Sequence, residues 1–224
     1  MTDLAIYDMD RTITRRATYT PFLIHCATQR SRLRLALAPA VALSMTAFGL
    51  KAIDRARLKE INHRLLLGYA LGDDELKPLV ESFAEKTIRE NIQPGAIRAI
   101  ARDRAEGRRL VMATASYALY VDAIAERLGF DDVIATRSVR GSDGRLIARI
   151  DGDNCYGPAK LIMIEKWVSE ENIDRAAAHV RFYSDHGSDA PAFEWADEAC
   201  AVNPNRELRT LATRRGWQVA DWSR

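Results

Sequence analysis

The 224 residues carry 33 Lys and Arg against 31 Asp and Glu, a formal net charge of +2, and 47% of them are hydrophobic. Such a chain builds one substantial core, alone or with a small accessory domain, which excludes a disordered or low-complexity protein. The basic excess is slight and comes without a helix-turn-helix, zinc-finger or aromatic-basic ribonucleoprotein pattern, so no nucleic-acid partner is expected.

Taken in chain order, the apolar run 4–7 predicts a buried strand that ends at an acidic cluster. The start of the chain has no positive region followed by a long apolar stretch, so no secretion signal is expected and a cytoplasmic location is. From about 14 to 91 the pattern turns helical. Helices are expected over 17–30 and 53–69, and from Asp73 or Asp74, acting as cap, to about 89. Pro94-Gly95 then interrupts the pattern. Beyond it a helix over 96–106 leads to a strand over 109–113, a helix over 117–128 and a strand over 132–136. A hairpin follows over 139–150, turning at Gly141-Ser142-Asp143-Gly144. A helix over 159–170, a strand over 180–184, a helix over 190–196, a strand over 199–202, a helix over 206–214 and a strand over 217–219 complete the chain.

This alternation predicts an α/β fold, with an open, largely parallel, Rossmann-like sheet covered by helices on both faces. Segments 1–13 and 92–224 make the core, and the helical block 14–91 is an insertion capping it. Three cysteines, Cys26, Cys155 and Cys200, lie far apart and form no metal-binding spacing; they suit a reducing compartment.

Ligands of open α/β sheets sit at the carboxyl ends of strands, so the polar residues that end each apolar run carry the functional reading. The first run ends in Asp8-Met9-Asp10-Arg11-Thr12. Two carboxylates one residue apart repel unless a divalent cation or a shared proton neutralises them, which points to Mg²⁺; a solvated acidic loop is the plainer alternative. The next run ends in Thr114-Ala115-Ser116, where a hydroxyl at a helix start suits phosphate, or where Ser116 simply caps the helix. Lys160 stands at a helix start, against the helix dipole, and either meets an anion or is solvated. Phe182-Tyr183-Ser184-Asp185 ends another strand, with Asp189 four residues on. Asp185 is a candidate metal ligand, and Asp189 a candidate helix cap.

These four segments, in this order, resemble the haloacid dehalogenase superfamily, in the branch of phosphoserine phosphatase with an inserted helical cap. The resemblance covers the core and extends through Val202-Asn203-Pro204-Asn205 to Gly216-Trp217; in the cap it is limited to position and helical character. It implies Asp8 as the nucleophile, forming an aspartyl-phosphate, and Asp10 as general acid and base. Thr114 and Lys160 would bind the phosphoryl oxygens, and Mg²⁺ would be held by Asp8, the Asp10 carbonyl and Asp185. Asp189 would reach the metal through water or orient Lys160. Two positions depart from the family pattern: Arg11 stands where a small residue is common, and His186 where Ser is common. Phosphoserine enzymes carry a glutamate shortly after the first motif; here Arg15-Arg16-Ala17-Thr18 offers no acid, which disfavours phosphoserine. Arg15 and Arg16 are placed to favour an anionic substrate or to be solvated.

Segment 35–50 is uncharged and lies between Arg30, Arg32 and Arg34 on one side and Lys51, Arg55 and Arg57 on the other. It is short for a membrane span. Burial in the cap, or in a contact between two copies, is the expectation. Contact with an anionic membrane surface, as in relatives that act on phosphatidylglycerophosphate, is the alternative. The overall expectation is a Mg²⁺-dependent phosphatase acting on a small molecule or a lipid headgroup. A silent binding protein on the same fold, or a phosphotransferase, competes with it.

Overall fold

Leu4, Ala5, Ile6 and Tyr7 are wholly buried, as a strand must be when helices cover both faces of its sheet. The computed structural model describes residues 2–224. In chain order its elements are β1 (Leu4–Tyr7), α1 (Tyr19–Arg30), α2 (Ala38–Gly49), α3 (Arg55–Leu66), β2 (Ala70–Leu71), α4 (Asp73–Glu90), α5 (Pro94–Ala105), β3 (Arg109–Tyr117), α6 (Ala118–Leu128), β4 (Asp132–Arg140), β5 (Leu146–Asp151), α7 (Pro158–Glu170), β6 (Val180–Ser184), α8 (Ala190–Trp195), β7 (Glu198–Val202), α9 (Arg206–Arg215) and β8 (Gln218–Ala220).

The strands make one sheet in the order β2-β5-β4-β3-β1-β6-β7-β8. From β4 to β8 every pairing is parallel, while β5 runs antiparallel to β4, and β2 to β5. The open α/β fold expected from the sequence is the one observed. The chain builds outward from β1 through β3 and β4, then returns to the other side of β1 for β6, β7 and β8. That reversal leaves a crevice at the carboxyl ends of the central strands.

Alternation within the central strands splits the core in two. Ala5, Tyr7 and Met112 face one cluster with Ile100 of α5 and Val121 of α6. Leu4, Ile6 and Val111 face the other, with Ile164 of α7, Phe193 of α8 and Leu208 of α9. Beneath β1 the first cluster contains a polar knot. The fully buried Asp103 of α5 accepts hydrogen bonds from Tyr7 (2.5 Å) and Tyr183 (2.9 Å), and the guanidinium of Arg181 lies 2.5 Å from its other oxygen.

Between β1 and α5 the chain forms the helical run α1 to α4. It leaves and re-enters the sheet layer side by side: Arg15 donates to Asn91 (2.7 Å), Gln93 donates to Ile13 (2.9 Å), and Thr14 bridges Ile92. Within this run the two-residue β2 extends the sheet edge, a pairing the sequence pattern did not show. α3 starts after Asp54, whose carboxylate accepts from the Arg57 amide (2.7 Å). α4 starts at Asp73 with Gly72 preceding it, so neither Asp73 nor Asp74 is the cap; Glu75 reaches back to the Gly72 amide instead (3.2 Å).

Segment 35–50 does not form the buried core of the insert. Of α2 only Ser44 is buried, and Leu35, Leu37, Leu43, Met45 and Leu50 are exposed. The polar residue is the inward one because its hydroxyl donates to Val41 and to Asn62 of α3, each at 2.7 Å. No helix among the described residues is long and apolar enough to cross a membrane.

Candidate active site

β1 ends at Asp8, in extended conformation, and the chain then turns sharply. Arg11 takes a left-handed φ of 64°, rare for a residue with a long side chain, and the Thr14 amide closes the turn onto Met9 (2.9 Å). The turn swings the Asp10 carboxylate back over the strand ends. There the buried Ser116 hydroxyl donates to Asp10 Oδ2 (2.7 Å), and the Thr18 amide and hydroxyl each donate to Oδ1 (2.8 Å). Thr18 belongs to the entry of the helical run and its hydroxyl also contacts Tyr120 (3.0 Å), so the helical run and the sheet layer jointly fix Asp10.

Thr114 and Ser116 do not open a helix. β3 continues through them to Tyr117 and α6 begins only at Ala118, so Ser116 is a partner of Asp10 and caps nothing. The register of β3 on β4 is irregular between Thr114 and Tyr117, so this stretch departs from a regular ladder where the two hydroxyl residues stand.

Lys160, on the first turn of α7, is 2% exposed, and its ammonium sits between Asp8 Oδ1 (2.8 Å) and Asp189 Oδ2 (2.6 Å). Burial acts to lower its pKa, but Asp189 and Asp8 outweigh burial and hold it above the ordinary lysine value. Asp189 also accepts from Ser184 (2.7 Å) and makes no capping bond, so the helix-cap alternative does not describe it. Asp185 leaves the end of β6 toward the same space.

One cavity of ≈ 330 Å³ is lined by Asp8, Asp10, Thr114, Lys160, Asp185 and Asp189, the six residues singled out in the sequence. Arg11, Arg55, Tyr156 and His186 complete much of its wall. A larger cavity of ≈ 570 Å³, bordered by α4, α6 and β4, has none of these carboxylates and offers no comparable chemistry. Arg15 and Arg16 line a different cavity again, with His25 and Lys86.

The floor of the cavity around Lys160 is short of positive charge. Burial pushes the Asp8 carboxyl up to about 7; Lys160 opposes this, while Asp189 and Asp185 add to it. Burial likewise pushes Asp185 up to about 6, against the lowering effect of His186 and Lys160. One ammonium faces three buried or nearly buried carboxylates, a deficit that a divalent cation corrects. No three acidic, His or Cys side chains among the described residues form a ready-made metal cage. Mg²⁺ does not require one, since it takes one or two carboxylates and keeps several waters. The Asp8 and Asp185 carboxylates therefore suit Mg²⁺.

Several neighbours were not legible as site residues. Besides Thr18 and Ser116 these include Lys59 of α3, which is buried and donates to the Ala115 carbonyl and to Asn154 Oδ1 (2.5 Å). Thr136 donates to the same two acceptors, at 2.8 Å and 3.0 Å. Arg55 lies over the Tyr156 ring, 4.1 Å from its centroid, at the edge of the cavity. Only the spacing of Ser116 after Thr114 could have hinted at any of these. All three cysteines are buried and free, and none lines the cavity.

Residues 5–194 match the family described as haloacid dehalogenase-like hydrolase. The chain is 31% identical over 228 residues to the inhibition of morphological differentiation protein of Streptomyces azureus, covering 98% of this chain and 78% of that one. A crystal structure of a protein of unknown function from Bordetella pertussis Tohama I superposes with a TM-score of 0.89 at 25% identity, over 99% of this chain and 100% of that one. A structure of phosphoserine phosphatase carrying an analogue of the phospho-aspartyl intermediate shares the fold, with a TM-score of 0.64 at 16% identity over 100% and 94% of the two chains. The matched span runs from β1 through α8 and so includes every carboxylate of the cavity and Lys160, which makes this chain a member of the haloacid dehalogenase-like hydrolases.

Proposed function

We propose that the protein is a Mg²⁺-dependent phosphatase that hydrolyses a phosphate monoester through an aspartyl-phosphate on Asp8. The observation that carries this reading is the buried Asp8–Lys160–Asp189 array beside Asp10, at the floor of one cavity. Phosphoryl transfer depends chiefly on positioning and charge neutralisation, and this array supplies both.

A carboxylate oxygen of Asp8 attacks phosphorus as the bond from phosphorus to the ester oxygen breaks. Asp10, held by Thr18 and Ser116, gives its proton to the departing alkoxide. Asp10 then takes a proton from water, whose oxygen attacks phosphorus; the acyl phosphate bond breaks, and phosphate leaves with Asp8 restored. Lys160 and the Thr114 hydroxyl hold phosphoryl oxygens, and Asp189 keeps the Lys160 ammonium in place. Asp8, Asp185 and the Asp10 carbonyl would hold Mg²⁺, and its positive charge would let the anionic ester approach an anionic nucleophile.

In this reading 14–91 is a cap domain and 1–13 with 92–224 the catalytic core, with substrate chosen where Ala17 and Arg55 of the cap reach the cavity wall. The guanidiniums of Arg11 and Arg55 on the cavity wall favour a substrate with an anionic group beside its phosphate, on a small molecule or a lipid headgroup. A silent binding protein is disfavoured because no group needed for the chemistry is missing.

Phosphate release from an aryl phosphate with Mg²⁺, in wild type and Asp8→Asn, tests the proposal. Activity that collapses in the variant supports it. Equal rates in the two proteins remove Asp8 from the nucleophile role. Added alcohol, with analysis for a new phosphate ester, separates a hydrolase from a phosphotransferase.

A further inference from the structure

An ordinary surface helix turns an apolar stripe to the protein and polar side chains to water. α2 does the first and not the second. Ser44, tied to Asn62, is buried, and Ala40, Val41, Ala47 and Phe48 on the same side are half-buried, with Val41 packed against the core. The exposed large side chains are apolar too: Leu43 (71% exposed), Met45 (49%) and, at the two ends, Leu33 (85%) and Leu50 (77%), with Leu35 and Leu37. Single exposed leucines need no explanation, but an apolar band of six exposed large side chains along 33–50 marks a binding surface.

The charge around this band has one sign. Between Asp10 and Asp54 the chain contains seven Lys and Arg and no Asp or Glu. Arg30 is occupied by Glu75 and the Leu67 carbonyl, and Arg34 by carbonyls of α3. Arg32 and Lys51 sit at opposite ends of the band beside Leu33 and Leu50; both are exposed, and neither enters an ion pair among the described residues. An apolar strip with a free cation at each end is the pattern of a helix lying in the headgroup layer of an anionic bilayer, with the cations reaching lipid phosphates. At 12 residues α2 is about 18 Å long, too short to span and long enough to lie flat.

We propose that this face docks the protein onto an anionic phospholipid bilayer. A second copy of the chain is the weaker occupant. A self-complementary contact would press Arg32 and Lys51 of one copy against the same strip of the other, where no acidic side chain between Asp10 and Asp54 answers them. The carboxyl end of α2 also lies near the cavity. Arg55 stands 5.7 Å from the ring centroid of Phe48, at the end of α2, and 4.1 Å from that of Tyr156 in the cavity wall. Docking on this face therefore places the cavity mouth near the lipid headgroups.

The test is sedimentation of the full chain with vesicles of phosphatidylcholine alone or mixed with phosphatidylglycerol. Wild type binds the mixed vesicles and not the neutral ones, and binding weakens as salt rises. Leu43→Asp weakens it roughly tenfold, and Leu50→Asp similarly. Arg32→Gln with Lys51→Gln weakens it about thirtyfold. All four positions are exposed, so thermal melts stay unchanged and the loss cannot be assigned to unfolding. Asp8→Asn binds like wild type, which keeps failure of docking distinct from failure of the proposed chemistry. Absence of binding to mixed vesicles, or binding untouched by these substitutions, overturns the proposal. A dimer that Leu43→Asp dissociates, without vesicle binding, gives the face to a second copy and overturns it as well.

Discussion

Ser116→Ala removes one oxygen and tests whether the clamp on Asp10 matters to the chemistry. Ser116 is buried, and its hydroxyl supplies one of three donors to the Asp10 carboxylate; the other two come from Thr18 and survive the substitution. A hydrogen bond to a charged group contributes about 1.5–3 kcal/mol, which corresponds to roughly 10–100-fold in rate if it is needed to aim the proton. The cavity left is smaller than a methyl group and adds less than about 1 kcal/mol to the cost of the lost bond, so the variant stays folded. The informative assay compares an aryl with an alkyl phosphate. The alkyl leaving group depends far more on protonation, so Ser116→Ala lowers kcat for the alkyl ester well below its effect on the aryl ester. KM stays within about threefold, since Ser116 does not line the cavity. A folded variant that hydrolyses both esters at wild-type rates would refute the assignment of Asp10 and its clamp.

Asp103→Asn leaves Arg181 and Arg102 facing a buried neutral amide and disrupts the bonds to Tyr7 and Tyr183. The expected cost is about 3–5 kcal/mol, seen as a melting temperature lower by roughly 10 °C or more. His63 of α3 is buried with no hydrogen-bond partner on either ring nitrogen, and burial lowers its pKa to about 4. The unfolded chain, with His near 6.5, takes up the proton first. The stability tied to neutral His63 is therefore complete above about pH 6.5 and falls by about 3 kcal/mol as pH drops toward 4. His63→Phe should flatten that part of a denaturant-midpoint profile between pH 7 and 5, and an unchanged profile would place the acid sensitivity elsewhere. Gly95→Ala sets a methyl group 2.5 Å from Trp222 Cβ and 2.6 Å from its Cα. A loss of about 1–3 kcal/mol is expected, against no steric cost at Gly49, where a Cβ meets open space and φ is not positive.

The chemistry-bearing residues were legible because a parallel sheet turns a local feature into a spatial one. Asp8, Thr114 and Asp185 each follow a short apolar run, and parallel pairing of β3, β1 and β6 sets those run ends side by side. Lys160 was legible only through its awkward place at a helix start. Thr18, Lys59 and Arg55 were not, because they reach the site through the folding of the insert, whose contacts leave no periodic trace. Asp103 illustrates the same limit inside the core: an acid among the arginines of α5 reads as a solvated face until Tyr7 and Tyr183 are placed beneath it.

The α2 segment shows where hydrophobic pattern loses its meaning. An uncharged run of sixteen residues has no polar face to orient it, so composition alone cannot separate a buried helix from one turned outward. Ser44 and Asn62, whose mutual bond is worth more buried than exposed, set the orientation together with Val41, which packs against the core on the same face. Replacing both with alanine would remove that preference and let leucine turn inward. Such a variant should lose vesicle binding while keeping its aryl phosphatase rate, because nothing in the catalytic cavity touches either residue.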